Sequence, residues 1–297
     1  MKKPIIAFVG LGAMGLHSAR RLVQAGFEVR GFDLQPASLQ ALAQAGGMVC
    51  TSAAEAVQGA SHAVLFVVNG KQAEQVIFGA NGLVDGATLA SSPLTIISCV
   101  TMSPTEAAAL GARCTARNWT FLDAPVSGGM VGAEQGTLTI MAAGEREAIE
   151  SCRPLFAAIS RRLMVAGERA GQGAMVKAIN QLLCGVHLAA AGEAMAMAQR
   201  AGLDLQAVFD VVSQSAAGSW MLSDRGPRMV QGSFDAPTSA VDIFVKDLGI
   251  VQDIARELRF PAPLSASALQ SFLGSSGAGN GKKDDAAVMQ YYASFQP

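Results

Sequence analysis

Lys177 is the residue in this sequence whose surroundings call for a chemical explanation. It lies in the run from Gly171 to Arg200, GQGAMVKAINQLLCGVHLAAAGEAMAMAQR, which has no proline and is dense in Ala, Met and Leu, all strong helix formers. Lys177, Asn180, Gln181, Cys184 and His187 recur at spacings of three and four. That spacing puts them on one side of a helix whose other faces are apolar or small. An ammonium in such a helix is costly to desolvate unless an acceptor, a substrate anion or water meets it. An amine held there can exchange a proton with a bound alcohol or carbonyl, provided burial or nearby positive charge lowers its pKa from about 10.4.

Two further segments carry chemistry. Residues 10–15, GLGAMG, follow the apolar run Pro4–Val9 and precede the helical pattern HSARRLVQAG. Gly10, Gly12 and Gly15 thus stand in the strand–turn–helix context that gives the GxGxxG spacing its meaning: a tight turn, a close backbone approach for a pyrophosphate, and close helix–strand packing. Leu11, Ala13 and Met14 complete the turn. A second strand, Glu28–Phe32, ends in Asp33, whose carboxylate can accept from both hydroxyls of an adenosine ribose and would repel a 2′-phosphate. No Arg follows in Leu34–Gln35–Pro36, so NAD is expected rather than NADP. The other segment is Asp123-Ala-Pro-Val-Ser-Gly-Gly129. There Pro125 stiffens the chain, Ser127 offers a hydroxyl, and Gly128 and Gly129 let backbone N–H groups converge on an anion. From the sequence alone the same residues read more readily as a rigid loop between two strands.

Positioning these groups takes alternating elements. Pro36–Ala45 reads as a helix, Met48–Cys50 as a strand, and Ser52 with Glu55 as a capping box. Ala63–Val68 reads as a buried strand with Val68 and Asn69 at its C-terminal end, and GANGLVDGA as a loop. Thr95–Ser98 is a strand, with Thr101 just beyond it and Pro104 opening a helix. Trp119–Leu122 and Thr137–Ala142 are strands, followed by a helix near 145–159 and a strand at 162–166. This order predicts a doubly wound parallel sheet of Rossmann type. Beyond Gly202 the strands stop. Asp204 caps a helix to about Ser213, and further helices follow near 221–230, 241–258, 264–273 and 284–294, the last two separated by a flexible SSGAGNGKKDD. The expected architecture is α/β: an N-terminal Rossmann domain over 1–167, then an all-helical domain over 168–297 entered through a long, buried interdomain helix.

Composition narrows the function classes. The chain has 297 residues, 51% hydrophobic and 15% charged. Its 22 basic and 23 acidic residues give a net charge of -1, against a basic nucleic-acid-binding surface. Mean hydropathy is +0.33. The longest apolar stretch, 182–198, contains His187 and Glu193, so no membrane span is expected. Five scattered cysteines without a CxxC suit reduced thiols in a cytoplasm. Lys2 and Lys3 precede an apolar run too short for a signal peptide. His17, His62 and His187 lie far apart, and no metal site is expected.

GLGAMG, DAPVSGG, GQGAMVKAINQ and VKDLG, in this order across the whole chain, resemble the β-hydroxyacid dehydrogenases, the family that includes 3-hydroxyisobutyrate dehydrogenase and tartronate semialdehyde reductase. The second half, with NQLLCGVHLAAAGEAMAMAQRAG, GSWM and SAVDIFVKDLG, is most similar to L-threonate dehydrogenases, which oxidise the C2 hydroxyl of L-threonate to 2-dehydro-L-erythronate with NAD. The resemblance implies the pyrophosphate turn at Gly10, Gly12 and Gly15, the adenosine ribose at Asp33, and the nicotinamide side at Val68, Asn69 and Thr101. It implies the substrate carboxylate at Ser127, Gly128 and Gly129, and Lys177 as the catalytic lysine. Lys246 falls where a lysine of the second domain reaches cofactor and substrate. The family motif often has Asn four residues after the lysine; here Gln181 holds that place, and Asn180 is the alternative for the role. Other small acids, among them 3-hydroxyisobutyrate and the tartronate and succinic semialdehyde couples, stay open as substrates. So does a non-catalytic Rossmann scaffold, although Lys177 speaks against it. The small-residue helix predicts a homodimer or homotetramer.

Overall fold

A computed structural model describes residues 4–87 and 93–294; Lys2 and Lys3 lie outside them. The chain divides into two compact units, Met1–Lys177 and Ala178–Pro297.

The first unit opens with β1 (Ile5–Val9), α1 (Gly15–Gln24), β2 (Glu28–Phe32), α2 (Pro36–Gln44), β3 (Met48–Val49), α3 (Ala53–Ala56) and β4 (His62–Leu65). It continues with α4 (Gly70–Phe78), α5 (Leu83–Gly86), β5 (Thr95–Ser98), α6 (Pro104–Thr115) and β6 (Thr120–Asp123). These six strands pair in parallel in the spatial order β3-β2-β1-β4-β5-β6, so the strand order reverses between β1 and β4. Every second residue of β1 faces the same side. Ile6 and Phe8 therefore enter one apolar cluster and Ala7 and Val9 the other, which is why this strand reads as an unbroken apolar run. Removing the wholly buried Phe8 ring would cost about 3–5 kcal/mol.

The sheet does not stay parallel to its far edge. β7 (Val126–Ser127) and β8 (Leu138–Ala143) pair antiparallel, as do β6 and β8, and β9 (Ser160–Gly167) adds in parallel to β8. Between β7 and β8 lies α7 (Gly129–Gln135), absent from the sequence reading. The expected helix over 145–159 is two, α8 (Arg146–Ser151) and α9 (Arg153–Ile159), with Pro154 in the first turn of α9. The segment read as the loop GANGLVDGA contains the single turn α5, whose Gly86 is pressed so close to Ala54 that a Cβ would come within 1.8 Å of its carbonyl oxygen.

The helix α10 (Gln172–Arg200) is 29 residues long, and Gly202, at φ +71°, lies just past its end. Its burial is less complete than the sequence predicts: Ile179, Leu183 and Met197 are half-exposed or more. By length and composition it could cross a membrane, but 44% of its most apolar window is buried inside the protein, as in the core helix of a globular fold. The second unit adds α11 (Leu205–Ser213), capped by Asp204, then α12 (Trp220–Gln231), α13 (Val241–Glu257), α14 (Pro263–Ser275) and α15 (Val288–Ala293). The stretch expected to be flexible is bonded in. Asp284 and Asp285 are wholly buried, Arg225 grips Asp285 at 2.7 Å, and Arg228 meets Asp284 at 3.0 Å. Buried carboxylates persist only with such partners.

Candidate active site

In the first unit the C-terminal ends of neighbouring parallel strands carry the marked residues in one row: Asp33 after β2, GLGAMG after β1, Val68 and Asn69 after β4, Thr101 after β5, and Asp123 closing β6. Ligands of open parallel sheets sit at these ends, where the strand order reverses.

Each glycine of the turn has its own reason. Gly10 has φ +97°, and a Cβ there would come 2.6 Å from the carbonyl oxygen of Phe66, so the turn is pressed onto the end of β4. A Cβ on Gly15 would meet the Gly10 oxygen at 2.0 Å, so α1 starts directly on the turn. Gly12 has nothing within 4 Å of its Cβ direction. The turn is thus packed from behind and open at its middle, which fits a pyrophosphate lying against backbone N–H groups. Asp33 accepts from the Leu11 N–H at 2.5 Å through Oδ2 and from the Gln35 N–H at 2.8 Å through Oδ1, which fixes its carboxylate beside the turn. Asn69 caps α4, accepting from the Gln72 N–H at 2.9 Å, while the Gln72 side chain accepts from the Val68 N–H. Ser103 and Glu106 form a capping box that starts α6 two residues past Thr101.

The turn after β6 is more ordered than a loop. Ser127 pairs with Thr139 across β7 and β8. Gly128 and Gly129 have φ of +130° and +63°, a conformation that favours glycine. The start of α10 is bonded to the same strand end. The Asp123 carboxylate accepts from the Gly171 and Ala174 N–H groups, both at 2.8 Å. Lys177 follows one turn later and is 7% exposed. The sequence reading left Asp123 without a role. Its signal was a lone acid ending an apolar strand, in TFLDAPV.

In the second unit a polar relay links α10 and α13. Asn180 donates from Nδ2 to Gln181 Oε1 at 2.9 Å and to Cys184 Sγ at 3.4 Å. Gln181 donates from Nε2 to Asp247, and Lys246 Nζ donates to Asp247 Oδ1 at 2.6 Å. Asp247, also overlooked in the sequence, is 3% exposed. The acid adjoining Lys246 in FVKDLG was its only sign. His187, the last member of the expected stripe, is exposed. All five cysteines are free. Among the described residues no group of three or more His, Cys, Asp and Glu could hold a metal ion.

Known proteins match this arrangement over nearly the whole chain. Residues 5–167 match a family model described as the NAD-binding domain of 6-phosphogluconate dehydrogenase. Residues 171–292 match one described as NAD-binding of NADP-dependent 3-hydroxyisobutyrate dehydrogenase. An L-threonate dehydrogenase of Cupriavidus necator is 46% identical over 98% of this chain and 97% of its own. One from Haemophilus influenzae is 39% identical over 97% and 95%. A crystal structure of a 3-hydroxyisobutyrate dehydrogenase from Salmonella typhimurium superposes with a TM-score of 0.90 at 43% identity, covering 96% of this chain and 98% of that one. The chain therefore belongs to the β-hydroxyacid dehydrogenase family, in its 3-hydroxyisobutyrate dehydrogenase-like branch, and is an NAD-dependent hydroxyacid dehydrogenase.

Proposed function

We propose that this enzyme oxidises L-threonate at C2 to 2-dehydro-L-erythronate. The observation that carries the reading is the row of groups along the strand ends: a ribose acceptor at Asp33, an open pyrophosphate turn at Gly12, and the Ser127-Gly128-Gly129 turn, which follows closely on the β6 end to which the Lys177 helix is tied. The relatives named for L-threonate support the substrate, and 3-hydroxyisobutyrate is the second reading because the Salmonella relative carries that name.

Bound NAD supplies the acceptor for the hydride leaving the carbinol carbon. GLGAMG would hold its pyrophosphate, Asp33 its adenosine ribose, and Val68, Asn69 and Thr101 would line the nicotinamide side; Lys246 is a further cofactor-binding candidate by family resemblance. Backbone N–H groups at Gly128 and Gly129, with the Ser127 hydroxyl, hold the substrate carboxylate. Lys177 Nζ, as the free amine, takes the proton of the reacting hydroxyl; in the reverse direction the ammonium returns it to the developing alkoxide. Of the two candidates on the next turn, Asn180 contacts substrate. It is the more exposed, whereas Gln181 is 8% exposed and drawn into Asp247.

The enzyme acts in the cytoplasm as a homodimer or homotetramer, without nucleic-acid or membrane partners. The free cysteines and the exposed apolar residues of α10 support this. NADH absorbance with a panel of four-carbon sugar acids and small hydroxy acids tests the substrate. Turnover with L-threonate well above the other acids is expected; preference for 3-hydroxyisobutyrate would replace the reading.

A further inference from the structure

Asp123 is wholly buried, yet it is neither on the cofactor turn nor in the anion-holding turn. Its Oδ2 accepts from the Gly171 and Ala174 N–H groups, 48 and 51 residues away in sequence. Its Oδ1 has no partner among the described residues. A carboxylate supplied from a distant strand thus does for α10 what a local cap does elsewhere, satisfying free N–H donors and offsetting the positive end of the helix. The contact is close on the backbone side too. A Cβ on Gly173 would come 2.5 Å from the carbonyl oxygens of Asp123 and Met141, so no side chain fits between the helix and the backbone of β6 and β8 there. Lys177 lies three and four residues beyond Ala174 and Gly173 and therefore shares this face of α10. Ser127 follows Asp123 by four residues along the chain.

We infer that Asp123 is a positioning residue for Lys177: its carboxylate latches the first turn of α10 onto the end of β6 and so holds the lysine in register with the Ser127-Gly128-Gly129 turn. The inference rests on the reading of Lys177 as the proton acceptor. Desolvation pushes the Asp123 carboxyl up to about 6, against the pull of the Ala174, Gly171 and Gly173 N–H groups. The latch therefore loses its charge just below neutral pH. The titratable group that interacts with it is Cys99, just past the end of β5. Burial and the Asp123 charge both push the Cys99 thiol upward, so it stays protonated across this range.

The test uses the full-length enzyme and Asp123→Asn, which keeps a carbonyl acceptor but is neutral at every pH. A charge-assisted bond is about twice as strong as a neutral one, so two weakened bonds correspond to roughly a tenfold effect. At mildly alkaline pH, kcat for L-threonate should fall about tenfold while the NAD+ dissociation constant stays within about twofold. The acid limb of kcat with a midpoint near 6 should be absent from the variant. Backbone amides of 171–177 should exchange about tenfold faster, as they should in the wild type below pH 6 after correction for intrinsic rates. That wild-type comparison decides the matter if the variant does not fold. Unchanged kcat, pH profile and exchange would overturn the inference, as would parallel loss of NAD+ binding and turnover. If the wild type oxidises no hydroxy acid, the functional reading falls, and exchange alone judges the latch: loosening confined to 171–177 retains it, and none removes it.

Discussion

The Gln181 amide and the Asp247 carboxylate are hydrogen-bonded across α10 and α13, and both are almost wholly buried. Asp247 also holds the Lys246 ammonium at 2.6 Å, so one carboxylate gathers Gln181 and Lys246, two of the three residues that the family resemblance marks in the second unit. Asp247→Ala removes the carboxylate that bonds both the buried Gln181 amide and the partly buried Lys246 ammonium. The expected cost is about 3 kcal/mol of stability, read as a lower urea midpoint, with kcat/KM reduced more than tenfold. Unchanged stability would mean that water replaces the carboxylate.

Asn180 and Gln181 should separate cleanly. Asn180→Ala is expected to lower kcat/KM by one to two orders of magnitude, roughly the worth of a charged-substrate hydrogen bond, with little change in melting temperature. Gln181→Ala should instead lower stability by about 1–2 kcal/mol through the unpaired Asp247 oxygen. The opposite pattern would give Gln181 the substrate contact.

The glycine turn offers a second contrast. Gly12→Ala meets no protein atom within 4 Å, so the fold should keep its melting temperature while NAD+ binding weakens at least tenfold. Gly15→Ala drives a methyl to 2.0 Å from the Gly10 oxygen and should destabilise the first unit by about 1–3 kcal/mol. Thermal unfolding with and without NAD+ distinguishes them. An NAD+ affinity unaffected by Gly12→Ala would place the pyrophosphate elsewhere.

Asp33 is held by the Leu11 and Gln35 N–H groups, and at the proposed ribose position its charge would repel a 2′-phosphate. Asp33→Ala should weaken NAD+ about tenfold and strengthen NADP+, narrowing the preference, as dissociation constants for both nucleotides would report. An unaltered ratio would show that another residue sets it.

The first unit was legible because its information is local. An apolar run, three glycines at fixed spacing and an acid after the next strand are short-range signals, and β1, the turn, α1 and Asp33 follow from them. The caps at Ser52 and Asp204 are local for the same reason, although the box expected at Ser52 does not close, because Glu55 accepts from the Thr51 N–H and hydroxyl instead. The illegible features depend on partners far away in sequence. The antiparallel pairing of β7 and β8 is set by the register of Val126 and Ser127 on Ile140 and Thr139, which no local pattern encodes. The cap of α10 comes from 48 residues upstream, and the burial of Asp284 and Asp285 depends on Arg228 and Arg225 some 56 to 60 residues before them. SSGAGNGKKDD has the composition of a loose loop, yet two arginines from α12 bond it in. The apolar faces of α10 were visible as composition, but composition does not say which of them this chain covers.

The central claim is that the Lys177 amine moves the proton. Lys177→Ala, assayed by NADH formation from the preferred hydroxy acid with NAD+ affinity measured on the same preparation, tests it most directly. The account predicts intact NAD+ binding and turnover lower by about three orders of magnitude, the scale of a lost general base. Turnover comparable to that of the wild type would contradict it.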